Sequence, residues 1–143
     1  MDDSTAMILD AAVTDHDTGS ECQQSEVSYE ATGTHLLLTL ADCRADLIND
    51  ADGLKAMVQR AAEATGATVL QIVAHRFQPQ GTTVVAVLAE SHASLHTYPE
   101  SKTVFWDCFT CGTTCHPELS EAVLKEALLP ERVSKKIVLR GDD

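Results

Sequence analysis

Positive charge is missing from the start of this 143-residue chain: residues 1–30 contain no Lys or Arg. They hold eight acids, Asp2, Asp3, Asp10, Asp15, Asp17, Glu21, Glu26 and Glu30. The whole chain has 22 acidic and 10 basic residues, a net charge of −12, of which residues 31–143 carry only −4. Both parts are acidic, so the footprint of a phosphate-backbone binder is lacking and nucleic acid is excluded as a partner. No stretch approaches the roughly 18 apolar residues of a membrane-spanning helix. No basic start precedes an apolar run, as a secretory signal would require. Five cysteines, an odd number without an export signal, predict reduced thiols in a cytoplasmic protein. There is no internal repeat, and no Gly-x-Ser-x-Gly elbow surrounds Ser91, Ser94 or Ser101.

What is present divides at about residue 30. Residues 1–30 mix Asp, Ser, Thr, Gln and Gly with few large apolar side chains. Such a segment buries too little surface to offset its ordering entropy, which predicts a disordered acidic tail. His16 and Cys22 fall in it and receive no role. Residues 31–143 read as one domain.

Within that domain, residues 34–42 (THLLLTLAD) form an apolar run of strand length. Asn49 to Asp52 offer helix N-caps, and Leu54, Met57, Val58, Ala61 and Ala62 then recur with helical spacing up to Gly66. Residues 67–77 alternate as a strand, and 78–81 are a turn. Residues 82–90 are apolar throughout, which predicts a strand buried on both faces. An extended segment runs to Pro99, and 103–111 (TVFWDCFTC) is a further strand. That strand sets Val104, Trp106 and Cys108 against Phe105, Asp107, Phe109 and Cys111 on its other face. Residues 117–128 predict a helix opened by Pro117, and 132–140 (RVSKKIVLR) a last strand. The order β-α-β-β-β-β-α-β predicts an α+β fold, a two-layer α/β sandwich with both helices on one face of an antiparallel sheet.

The unusual chemistry lies between residues 90 and 116. Cys108, Cys111, Cys115 and His116 have soft-ligand spacing. In an extended strand, however, Cys108 and Cys111 point to opposite faces, so no metal is expected. A Cys111–His96 nucleophile pair is chemically possible, although nothing in the spacing singles it out. A third reading turns the Ser91 hydroxyl on its own backbone. Attack on the Glu90 carbonyl converts that amide to an ester. Loss of the Ser91 Cα proton then eliminates Glu90 as a new C-terminus, and the dehydroalanine left behind hydrolyses to a pyruvoyl group and ammonia. Such a ketone forms Schiff bases with amines and acts as an electron sink.

The third reading gains weight from a resemblance. AHRFQPQGTTVVAVLAESHASLHTYPE followed by WDCFTCG resembles the bacterial class of S-adenosylmethionine decarboxylase proenzymes, over about residues 33–140. The resemblance implies cleavage between Glu90 and Ser91, with Ser91 as precursor of a covalent pyruvoyl cofactor. It implies that His96 removes the Ser91 Cα proton and that the Thr83 hydroxyl assists processing. Cys111 would return a proton to the carbanion left by decarboxylation, a role suited to a thiol. Phe77 would stack on adenine, Glu100 would hold the ribose hydroxyls, and Tyr98, where many relatives have Trp, would line the substrate pocket. The substrate implied is S-adenosylmethionine, decarboxylated for spermidine synthesis, and the assembly implied is a homodimer of cleaved protomers.

Ser101-Lys102-Thr103 replaces an aromatic-Gly-aromatic run of the family, and Thr39 and Ala41 replace an acid and a Tyr. These departures keep open a pyruvoyl decarboxylase of arginine or ornithine. Ser91 and His96 are also an odd number of residues apart, which predicts a bend or bulge between them. Cys108, Cys115 and His116 receive no role.

Overall fold

The computed structural model describes residues 31–141. The acidic tail expected over residues 1–30, with His16 and Cys22, lies outside the described residues. Six strands and two α-helices follow in the expected order: β1 (Gly33–Ala41), α1 (Ala51–Ala64), β2 (Val69–Arg76), β3 (Thr82–Leu88), β4 (Ser91–Tyr98), β5 (Thr103–Cys111), α2 (Ser120–Leu128) and β6 (Arg132–Arg140). The strands form one sheet in the order β2-β3-β4-β5-β1-β6, and every neighbouring pair is antiparallel. β1 therefore lies between β5 and β6, although 61 residues separate its last residue from the start of β5. Among the described residues no helix is long and apolar enough to cross a membrane.

Both helices pack on one face of this sheet and against each other. α1 turns Leu54, Met57, Val58, Ala61 and Ala62 inward, the set read from its spacing. Gly66, at φ +91°, follows the helix end in the left-handed region that glycine tolerates. The sheet answers with Leu36, Leu38 and Leu40 of β1, Val84 and Ala86 of β3, Ala93 and Leu95 of β4, and Val104, Trp106 and Cys108 of β5, all buried. The Trp106 indole N–H donates to Ser120 Oγ at 3.0 Å, and that hydroxyl donates to the Pro117 carbonyl at 2.6 Å. The pair fastens β5 to the start of α2 while satisfying a buried donor.

Three expectations need correcting. β3 is not buried on both faces: its side chains alternate, with Val85 and Val87 exposed opposite the core. Among the described residues only the helix side of this sheet is covered, so an apolar residue on the other side stays open. Second, no bulge interrupts β4. Its register runs unbroken from Ser91, opposite Leu88 and Thr110, to His96, opposite Thr83 and Phe105. Residues 117–119 form a 3-10 turn before α2, where the predicted helix was continuous.

Candidate active site

The face without helices carries most of the candidate residues. Strand alternation places His35 of β1, Thr83 of β3, His92, Ser94 and His96 of β4, and Asp107 and Cys111 of β5 on it. Two groups of site residues form there.

The first group surrounds the Glu90–Ser91 bond. The main-chain N–H of Cys111 donates to the Glu90 carbonyl oxygen at 3.0 Å, and the Thr68 N–H donates to Glu90 Oε2, also at 3.0 Å. Glu90 is thus held at both its backbone and its side chain. Ser91 has φ 148°, in a region that L side chains rarely adopt. Such a conformation costs about 1–3 kcal/mol and needs surrounding structure to hold it. Its hydroxyl oxygen lies 3.2 Å from His92 Nδ1, within hydrogen-bond distance.

The second group lies at the other end of β4. Thr83, His96, Phe77, Tyr98 and Glu100 line one open pocket of about 280 Å³. Five residues singled out in the sequence therefore share a cavity, although they come from β3, β4 and the turns beside them. His96 Nδ1 lies 2.9 Å from Thr83 Oγ1, and His96 Nε2 lies 3.2 Å from Ser94 Oγ. Ser94 in turn donates to Asp107 Oδ1. With its own proton given to Asp107, Ser94 accepts from His96 Nε2–H, which leaves His96 Nδ1 to accept the Thr83 hydroxyl.

The structure does not bring Ser91 and His96 of one chain together. Five residues of unbroken strand put them about 16 Å apart, at roughly 3.3 Å per residue. Cys111 joins the Ser91 group, whereas Thr83 joins the His96 group.

The cysteines sort by face. Burial pushes the Cys43 thiol up to about 11 and the Cys108 thiol up to about 12, the neighbouring Asp107 charge adding to the latter. Burial raises Cys115 as well. These thiols stay protonated and packed, while Cys111 is half-buried on the helix-free face. Cys108 and Cys111 point to opposite faces, as the strand pattern predicted.

Three residues received no role in the sequence reading: His35, His92 and Asp107. His35 Nε2–H donates to Asp107 Oδ2 at 3.1 Å, and His92 Nε2 lies 3.6 Å from the same oxygen. Their ligand atoms are close enough to share a cation, but the hydrogen bonds already account for their orientation. The signal for Asp107 was a lone charge in the apolar run TVFWDCFTC. His92 was masked by its position, since neighbours in a strand ordinarily face opposite ways.

The family model for S-adenosylmethionine decarboxylase matches residues 34–141. The S-adenosylmethionine decarboxylase proenzyme of Brevibacillus brevis is 44% identical over 115 residues, covering 80% of this chain and 86% of that protein. The proenzyme of Methanococcus maripaludis is 39% identical over 109 residues, covering 76% and 89%. The crystal structure of the adenosylmethionine decarboxylase of Aquifex aeolicus superposes with a TM-score of 0.71 at 31% identity, covering 78% of this chain and 92% of that one. The chain belongs to the S-adenosylmethionine decarboxylase family, and so to the carboxy-lyases. Within that family it stands with the prokaryotic proenzymes.

Proposed function

We propose that this chain is a proenzyme that cleaves itself between Glu90 and Ser91 and then converts S-adenosylmethionine to S-adenosylmethioninamine for spermidine synthesis. The observation that carries this reading is the setting of the Glu90 carbonyl. It accepts the Cys111 N–H at 3.0 Å, beside a serine in a rare backbone conformation. A donor at that distance stabilises the negative charge that develops when a hydroxyl attacks the carbonyl. These residues fit a pyruvoyl group made from Ser91. When formed, that group supplies the electron sink for loss of CO₂. Cys111, half-buried on the open face and bonded through its N–H to Glu90, would deliver a proton after decarboxylation.

The pocket of Phe77, Tyr98 and Glu100 fits the substrate. Phe77 and Tyr98 offer aromatic faces, about half exposed, for adenine and a cationic sulfonium. The Glu100 carboxylate suits a vicinal diol. These groups sit with His96 and Thr83, one strand length from Ser91 of the same chain.

That separation supports a homodimer. Two copies packed by their helix-free faces, running in opposite directions, would set Thr83, His96 and the substrate pocket of one protomer against Ser91 and Cys111 of its partner. The face suits such packing, since Val73, Val85, Val87 and Phe105 lie exposed on it around the polar groups. Exposed apolar area of this kind marks an interaction surface.

The test is a denaturing gel with intact mass, followed by CO₂ release from S-adenosylmethionine, arginine, ornithine and lysine. Fragments 1–90 and 91–143, the second blocked at its N-terminus, with turnover of S-adenosylmethionine, are expected. A chain that stays whole on long incubation, or turnover of arginine or ornithine alone, overturns the reading.

A further inference from the structure

The hydroxyl that must attack Glu90 already has a hydrogen-bond partner, and no role in the reading above uses it. Ser91 Oγ lies 3.2 Å from His92 Nδ1. In a regular strand, adjacent side chains point to opposite faces and do not meet. Here the φ of 148° at Ser91 departs from strand geometry and accompanies the contact. On the far side of the ring, His92 Nε2 lies 3.6 Å from Asp107 Oδ2. Asp107 is fixed by two further donors, His35 Nε2–H at 3.1 Å on Oδ2 and the Ser94 hydroxyl on Oδ1. An ionised carboxylate only accepts, so the proton of the neutral ring belongs on Nε2 and Nδ1 presents a bare lone pair to the Ser91 hydroxyl.

We infer that His92 is the general base, and Asp107 its positioning residue, for the first step of self-cleavage. This inference rests on Ser91 being the cleavage residue. In the step, the Ser91 Oγ–H proton moves to His92 Nδ1 as Oγ bonds to the Glu90 carbonyl carbon. The carbonyl oxygen takes negative charge against the Cys111 N–H, and Asp107 faces the imidazolium. The carbon–nitrogen bond then breaks, and His92 returns its proton to the leaving Ser91 nitrogen. The products are an ester between Glu90 and Ser91 Oγ and a free amine, with atoms and charge balanced and no co-reactant. His96 and Thr83 are kept for the later removal of the Cα proton. The two histidines of the Ser-His-x-x-x-His stretch thereby divide the reaction: one makes the ester and the other opens it.

The assay follows cleavage of the freshly translated full-length chain, with and without hydroxylamine, which cuts esters but not amides. His92→Gln is expected to slow cleavage by about 10²–10⁴-fold, the usual contribution of a general base. The stalled chain resists hydroxylamine, because no ester has formed. Added imidazole raises its rate in proportion to concentration, which also shows that the variant is folded. Asp107→Asn slows the same step, and Asp107→Glu recovers part of the loss. His96→Ala, by contrast, stalls as a hydroxylamine-sensitive ester between residues 90 and 91. His92→Gln cleaving at the wild-type rate, or stalling as a hydroxylamine-sensitive ester, overturns the inference while leaving self-processing intact. A wild-type chain that never cleaves overturns the self-processing reading itself.

Discussion

The main-chain N–H of Cys111 donates to the carbonyl oxygen of Glu90, so the residue with the open-face thiol also grips the carbonyl of the bond proposed to be cut. The two functions use different atoms and can be separated. Cys111→Ala keeps the amide, so cleavage into 1–90 and 91–143 is expected to continue. Decarboxylation is expected to fall about 10²–10⁴-fold for want of the proton donor. Misplaced protonation transfers the substrate's amine to the protein, so an alanyl N-terminus accumulates on fragment 91–143. Mass spectrometry of that fragment checks both outcomes, and full turnover by Cys111→Ala would remove the thiol from the mechanism.

The distance between Ser91 and His96 along β4 leads to a complementation experiment. Ser91→Ala and His96→Ala chains, each alone, are expected to stay uncleaved to products. Mixed and allowed to assemble, the Ser91→Ala protomer supplies His96 to the Ser91 of its partner. About one productive site per mixed dimer follows, read as cleavage of the His96→Ala chain only. Persistent silence of the mixture would place the two residues in one protomer.

Cys108 links stability to alkaline pH. Burial holds its thiol up to about 12 in the folded chain, against an ordinary value of 9.0. A group raised on folding contributes stability in full below its unfolded value and loses it as pH rises through its folded one. The loss is therefore expected between about pH 9 and 12. Melting temperatures of the wild type should fall more steeply over pH 9–11 than those of Cys108→Ala, although the variant starts lower because it has a small cavity. Parallel slopes would show that Cys108 does not carry the effect.

The family match begins at residue 34, after the acidic segment. Deleting residues 1–28 is expected to leave cleavage and decarboxylation within about twofold of the full chain, since the residues named at the site begin at His35, after the deleted segment. A truncated protein that folds but does not cleave would give the segment a part in processing.

Much of this was legible in the sequence because the underlying physics is local. The helical repeat of Leu54, Met57, Val58, Ala61 and Ala62 and the alternation of residues 103–111 each follow from one period. The pocket residues Phe77, Thr83, His96, Tyr98 and Glu100 were found by motif and then met in one cavity. The failures came where a distant strand or the sheet as a whole decides. Val85 and Val87 read as core because composition cannot say that one face of the sheet is bare. The odd spacing of Ser91 and His96 predicts a bend or bulge, but the register of β4 runs unbroken between them because pairing with β3 and β5 on both sides fixes it. Asp107 drew no role because its partners, His35 and His92, come from strands that only the sheet order makes neighbours.

The strand order also decides what would become of the chain after the proposed cut. Fragment 1–90 would own β1, β2 and β3, and fragment 91–143 would own β4, β5 and β6. In the sheet these do not fall into two blocks, for β1 is clasped between β5 and β6 while β3 flanks β4. The products interlock like fingers of two hands, and parting them means tearing three hydrogen-bonded seams at once. A severed backbone therefore gives a new reactive end without giving two proteins, and the halves travel together under any condition that leaves the sheet intact.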